Sequence, residues 1–478
     1  MTARRIGLGL GPTVFALTAV LAPPTGMTAA AWLVAGLVVW MASWWMTEAV
    51  PMEVTAVLPF LVLPLAGISS AEDTASDYYS PILFLLLGGA FIALAIERTA
   101  LHRRLSLAIL RLAGKRGGPG RLLLAFMIAA GLLSMLISNT STALIMMPMA
   151  LAVLEGGERA GSTATAPQPH PPQEGLAGAL PMGIAFAASI GGLGTLVGSP
   201  TNAISVGLLD QIAGVRISFL EWSLYGVPLV LLGVPLAAFI IARVQHVARH
   251  PFDVDRARAA IAGQTEWSSA EKRLAVLVAL TVAGWVTQPL VAPLFPPGAW
   301  GDGTIAAIAA LALFVLPDGT GRSLLVWDEA KAAPWNVIFL FGGGLALAGG
   351  MQASGLTTWL GEALLPLERW PLILVALAVT ALVIAVTEFA SNVATATGIV
   401  PVVAALVVAL GVDPVLLALP AALAASWGFM LPAGTGPNVI AWSTRRIRID
   451  RMVIAGALLD IAGVFLLVGI VWGIAALA

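Results

Sequence analysis

Ser138-Asn139-Thr140 interrupts a long apolar stretch, and the pattern returns in the second half of the chain as Ser391-Asn392-Val393. Each copy is followed, some tens of residues later, by a glycine-rich interruption holding another asparagine. The first is Gly198-Ser199-Pro200-Thr201-Asn202 and the second Gly434-Thr435-Gly436-Pro437-Asn438. Within a membrane, backbone that leaves the helix is tolerated only where it is buried in protein or lines a cavity. Interruptions arranged as two matched pairs point to an all-α polytopic membrane protein, an inverted-repeat transporter whose binding site lies where the repeats meet.

The surrounding composition agrees. Of 478 residues, 59% are hydrophobic and 10% charged, against about 25% charged in soluble domains. Apolar runs near the length of a membrane span (about 20 residues) recur at 30–47, 51–67, 222–242 and 452–476. The net charge of −1 suggests no nucleic-acid partner. With no cysteine in the chain, disulfides, thiolate metal sites and iron–sulfur clusters are excluded. Arg4-Arg5 before the apolar stretch 6–22 has the form of a leader, but further spans follow at once, so it reads as a first span.

Basic residues cluster in the connections 98–121, 243–273 and 445–451, whereas Glu72, Asp73 and Asp77 share a loop without a basic residue. The positive-inside tendency places the basic connections in the cytoplasm. Parity then constrains the path. Three simple crossings by 121–154, 181–209 and 222–242 would strand the 243–273 connection outside. A hairpin over 121–154 that enters and returns on the cytoplasmic side restores it, each arm reaching roughly 24 Å at 1.5 Å per residue. Its apex is Ser138-Asn139-Thr140. Segment 371–410 must likewise re-enter from outside, with Ser391-Asn392-Val393 at its apex. This path puts Ser162 and Ala257 in the cytoplasm, with the N-terminus cytoplasmic and the C-terminus outside.

Other stretches match between halves: Phe84–Gly89 with Phe339–Gly344, Thr142-Ala143 and Pro148 with Thr395-Ala396 and Pro401, and Ala188–Gly191 with Ala425–Gly428. The offset drifts across the alignment, as an old duplication would. The polar connection 155–178, with Pro167–Pro172, and the 243–273 connection read as flexible loops rather than domains.

The interruptions expose helix ends. N-terminal N–H groups attract carboxylate or sulfate, and C-terminal carbonyls suit a hard cation such as sodium. Asn, Ser and Thr side chains serve either purpose; the plainer reading of one such tripeptide alone is a helix cap, and two matched copies, each paired with a glycine-rich break, favour the binding role.

Together, Trp44–Pro51, the two apices, Trp335–Gly344 and Pro432–Asn438 make the chain similar to the divalent anion–sodium symporter family, in order and over nearly its whole length. The resemblance implies about eleven spans plus two hairpins, a homodimer in the plasma (inner) membrane and elevator-type movement. Scaffold segments would be 1–120 and 272–353; transport segments would be 121–155, 181–246, 371–410 and 419–478. It implies a first sodium site at Ser134, Ser138, Asn139 and the Gly198 carbonyl. The second would use Thr387, the Ala390 carbonyl, Asn392 and the Gly434 carbonyl. Substrate carboxylates would meet Asn139, Thr140, Ser199, Asn392, position 393 and Thr435. Two residues depart from the family pattern. Val393 replaces a usual Thr and removes a hydroxyl, and Gly436 replaces a usual Pro, which should loosen that break.

Other residues read more plainly. Gly342-Gly343-Gly344 suits close helix packing, and the 15 Trp suit interfacial anchoring. Glu48 and Glu388 are acids near apolar stretches and hence functional candidates, though Glu388 is equally placed to hold backbone. All four His fall in loops. Gly114-Lys115-Arg116-Gly117 lacks the spacing of a phosphate-binding loop, and no H-E-x-x-H pattern occurs, so neither an ATP-driven pump nor a metalloenzyme is indicated. The expectation is a sodium-coupled symporter for a divalent organic anion such as succinate or another C4-dicarboxylate. The alternatives are a sodium-independent exchanger or a sodium–sulfate symporter of the same fold, and sequence alone leaves a passive channel open.

Overall fold

A computed structural model describes residues 3–112, 118–158, 174–250, 252–253 and 266–477. Ser162, Ala257 and the Pro167–Pro172 stretch lie outside them. The described chain is helical, with one isolated bridge between Pro317 and Ser323. Eight of its helices are long and apolar enough to cross a membrane.

Two helix–break–helix units carry the paired tripeptides. In the first, a leading arm Pro119–Ser134 is followed by a returning arm Asn139–Glu158. In the second, the arms are Leu372–Thr387 and Asn392–Leu410. The same local chemistry starts both returning arms. Ser138 Oγ accepts from the Ser141 N–H (3.1 Å) and Ser391 Oγ from the Ala394 N–H (3.2 Å), so a serine N-cap replaces the missing helical bond. Each returning arm also contains a proline, Pro148 or Pro401, which removes one ladder bond and favours a bend.

The broken spans are Leu176–Gly192 with Pro200–Ala213, and Pro414–Ala424 with Gly436–Ser443. The halves exchange partners. The first returning arm packs on Gly436–Ser443 and the second on Pro200–Ala213. The helices that close each half, Phe219–Val244 and Ile449–Ala475, pack on each other. Neither tripeptide can therefore be positioned by its own half alone.

Around this unit lie Ala3–Val20 against Ala29–Thr47, and Pro81–Arg98 against Asp302–Val315. Close approach here depends on glycine. A Cβ on Gly88 would sit 2.6 Å from the Ala306 carbonyl oxygen, and one on Gly343 would sit 2.4 Å from that of Ala56. The Gly342–Gly344 run is thus a packing device, as read from sequence.

Three features depart from the sequence reading. The 51–67 run divides into Met52–Thr55 and Leu58–Leu65, because Pro59 cannot continue a preceding turn. The second broken span stops at Ala424, well before the glycine run. Four tryptophans expected at interfaces (Trp45, Trp222, Trp285 and Trp427) are fully buried. Trp222 Nε1 donates to the Leu193 carbonyl at 2.8 Å and Trp427 Nε1 to that of Leu459 at 3.2 Å. Such donors explain how an indole is accommodated in a core.

At the end of Pro81–Arg98, Arg98 donates to the Leu324 carbonyl at 2.6 Å and pairs with Asp318 and, at 3.2 Å, with Glu329. Arg98, and after it Thr320, holds the Asp318 carboxyl well below the usual carboxylate range. A depressed native value stabilises the fold above the unfolded value and ceases to do so as pH falls through the native one. Asp318→Asn should therefore lower the melting temperature at neutral pH, with the gap to wild type closing as pH falls below about 4. Paired thermal melts across that range check the trend.

Candidate substrate and cation site

Ser134 closes the first leading arm and is fully buried; Thr387 closes the second and is 1% exposed. Five residues on in each case stands the apex asparagine. Ser134 Oγ donates to Asn139 Oδ1 at 2.7 Å, and Thr387 Oγ1 lies 3.1 Å from Asn392 Oδ1. The broken spans add backbone oxygens. The Asn139 amide atom that meets Ser134 also lies 3.2 Å from the Ala188 carbonyl oxygen and 3.3 Å from that of Gly198. Thr387 Oγ1 lies 2.7 Å from the Ala425 carbonyl oxygen. Ala188 and Ala425 are repeat mates, so each half builds the same nest of hydroxyl, amide and carbonyl.

Two chemistries satisfy the first nest. Either the Asn139 amide nitrogen faces the oxygens and donates to them, or its oxygen joins them around a cation; amide orientation follows from the surrounding partners. Hard cations take oxygen ligands of this kind. Ser134, Asn139 and the Gly198 carbonyl come together as the sequence reading grouped them. Ser138 lies at the apex rim, where its hydroxyl caps the returning arm. On the second side Thr387 and Asn392 meet, and Ala390 is buried beside the apex. Gly434 lines the cavity described next. The Ala188 and Ala425 carbonyls were not singled out from sequence, although the repeated Ala-Ser-x-Gly was the available signal.

Between the nests lies a cavity of about 630 Å³. Its wall includes Asn139, Thr140, Ser199, Asn392, Val393 and Thr435, so all six positions expected to meet substrate line one space. Four helices begin at this wall, at Asn139, Pro200, Asn392 and Gly436. Their N-terminal N–H groups and dipoles favour an anion. Asn336 also lines it; the Trp335-Asn336-Val337 motif was noticed in the sequence without a role.

Gly436 has a consequence beyond the loosening expected of it. A Cβ there would sit 2.4 Å from Thr140 Oγ1, so glycine lets the first apex approach the second broken span. Thr435 accepts from the Asn438 N–H at 3.3 Å and caps the short helix, while Asn438 Nδ2 donates to the Leu431 carbonyl at 3.1 Å. The first break is braced similarly, Asn202 Nδ2 donating to the Gly192 and Thr195 carbonyls at 2.7 and 2.8 Å. The two pair-forming asparagines of the breaks are therefore braces for the backbone.

Glu388 is 4% exposed. Its carboxylate accepts from the N–H groups of Phe429, Met430 (3.0 Å) and Leu431 (3.2 Å). This is the backbone-holding role, and it satisfies N–H groups left free where the second span breaks. Asp460, buried in the last helix beside Glu388, was passed over in the sequence despite standing alone in the 452–476 run.

Residues 7–477 match the family model described as the sodium:sulfate symporter transmembrane region, and the chain belongs to that family of membrane transporters. Among its relatives, the sodium-dependent dicarboxylate transporter SdcS of Staphylococcus saprophyticus is 36% identical, over 98% of this chain and 90% of the relative. The protein of that name from a Staphylococcus aureus strain is also 36% identical, over 98% and 91%. Among solved structures, the YdaH transporter of Alcanivorax borkumensis shares the fold with a TM-score of 0.56 at 15% identity, covering 98% of each chain.

Gly192 tests the first nest, since a Cβ there would sit 2.1 Å from Asn139 Oδ1. Gly192→Ala should displace that amide and abolish cation-dependent transport. Gly469→Ala, where no atom lies within 4 Å of an added Cβ, should transport normally. Initial uptake rates at matched protein density make the comparison.

Proposed function

We propose that this protein is a sodium-coupled secondary active symporter for a divalent organic anion, succinate or another C4-dicarboxylate, working by elevator movement. The observation that carries the reading is the pairing of two repeat-related oxygen nests with one cavity at which four helix N-termini meet. Oxygen nests suit sodium and the helix N-termini suit carboxylates. Because Asn139 and Asn392 each belong to a nest and to the cavity wall, sodium bound behind them orders the surface that receives the anion. Ions and anion then favour the same arrangement of the apices, which is coupling by shared structure. The names of the staphylococcal relatives favour a dicarboxylate over sulfate.

In this reading the two helix–break–helix units are re-entrant, from opposite faces of the plasma membrane. Six of the long apolar helices remain once the two returning arms are set aside. Adding Ala3–Val20, Met52–Leu65, Asp302–Val315 and the two broken spans gives about eleven crossings. The N-terminus is then cytoplasmic and the C-terminus outside. The hairpins, broken spans and closing helices form the moving transport body. Segments 1–120 and 272–353 form the scaffold, through which two copies pair.

Counterflow of radiolabelled succinate, citrate and sulfate in proteoliposomes tests the function. Succinate should accumulate against its gradient with sodium and not with potassium or choline, and Asn139→Ala or Asn392→Ala should abolish uptake. Equal rates in all three cations would instead establish exchange, and equilibration without accumulation would establish a channel.

Val393 offers a finer test. A hydrogen bond to a charged group contributes about 1.5–3 kcal/mol, and Val393→Thr adds a hydroxyl at nearly constant volume. The apparent KM for succinate should fall severalfold. A large loss of transport would show that the pocket favours an apolar flank on its substrate.

A further inference from the structure

Trp44–Pro51 carries part of the family resemblance and holds the candidate acid Glu48, and the structure makes its last residues part of the cavity wall. Glu48, Val50 and Pro51 line the same space as the two apices, together with Arg4 from the first helix. The turn is held firmly. Glu48 adopts a left-handed conformation with φ of 47°, which for a residue other than glycine persists only where the surroundings impose it. Gly7, one turn beyond Arg4, is the reason that the first helix lies so close. A Cβ on it would sit 1.9 Å from Thr47 Oγ1 and 3.2 Å from Ala49 Cβ. Arg4 Nε donates to the Ala49 carbonyl at 3.1 Å. That bond uses one edge of the guanidinium; among the described residues no hydrogen bond or ion pair engages its Nη atoms.

The charge balance of the wall gives this placement meaning. Arg4 is the cationic side chain of the described cavity wall, and Glu48 and Glu53 are its carboxylates. Every other polar group there is neutral. A dianion entering this space without Arg4 would meet two fixed negative charges and no fixed positive one. An arginine held at one edge retains a planar face of donors suited to a carboxylate.

We propose that Arg4 is a substrate-contacting, specificity-determining residue on the scaffold wall: its Nη donors bind a carboxylate of a dianionic substrate opposite the apex helices. The inference rests on the proposed dicarboxylate transport and adds a fixed counter-charge that favours dianions over monoanions. It also gives Gly7 and the strained turn at Glu48 a purpose, since both bring the helix carrying Arg4 to the cavity.

The test is isothermal titration of succinate, and of a monoanion such as butyrate, into the purified full-length protein in saturating sodium, with uptake measured in parallel. Arg4→Ala and Arg4→Gln should raise the Kd for succinate about three- to tenfold without changing the sodium dependence. Arg4→Lys should recover part of the loss, and Arg5→Ala should change nothing. Discrimination between succinate and butyrate should narrow in Arg4→Gln. An unchanged succinate Kd in a folded Arg4→Gln protein, judged by a wild-type melting temperature, overturns the inference. So does an equal loss in Arg5→Ala, which would reduce the effect to general surface charge. If wild-type protein neither binds nor transports succinate, the proposed function fails, and this inference fails with it. Normal wild-type behaviour with an unaltered Arg4→Gln overturns this inference alone.

Discussion

Backbone that leaves a helix in an apolar interior must find hydrogen-bond partners within the protein, because no water is there to supply them. Four interruptions in this chain face that requirement, and the surrounding structure answers each one. Asn202 supplies donors to the Gly192 and Thr195 carbonyls, and Trp222 supplies one to Leu193. Asn438 does the same for Leu431, while the Glu388 carboxylate collects the N–H groups of Phe429–Leu431. Without these braces the helix ends that make the site would not persist.

The groups that remain available after that bracing make the chemistry. The Ser134–Asn139 and Thr387–Asn392 pairs look onto carbonyl oxygens of the broken spans, giving two oxygen nests. On the other side of the same asparagines, four helix starts turn their N–H groups toward the cavity. Asn139 and Asn392 thus belong both to the oxygen nests and to the cavity wall, and in the proposed reading that sharing lets cation and anion binding depend on each other. The halves are not equal, however. Glu388 has no acidic counterpart in the first repeat, where Met135 stands, and its carbonyl accepts instead from Thr195 Oγ1. The two nests are therefore braced by different chemistry, a carboxyl group in one half and a hydroxyl in the other.

Much of this was legible in the chain. The paired tripeptides, the matched glycine-rich breaks and the drifting offset of the repeat located both apices. Ser138, Asn139, Thr140, Ser199, Asn392 and Thr435 do lie around one cavity, with Ser134 and Thr387 buried beside the two apex asparagines. The Ala188 and Ala425 carbonyls were not legible, because a backbone oxygen carries no residue signature. Asp460 was readable as a lone acid in an apolar run but was hidden by the length of that run. The closeness of Gly436 to Thr140 of the other half was not legible, since the two residues meet only once the halves have packed.

The sequence by itself determined the local events. Hydrophobic runs set which segments are helical, Ser138 and Ser391 set where returning arms begin, and prolines and glycines set where spans break. Each depends on neighbours a few residues apart, so composition and spacing suffice to read it. Tertiary structure alone decided which half completes which site. The first returning arm rests on Gly436–Ser443 and the second on Pro200–Ala213, and the first helix is brought to the cavity wall by the contact at Gly7. Those pairings join residues hundreds of positions apart through close packing, and packing depends on the shapes of surfaces that exist only once the helices have assembled.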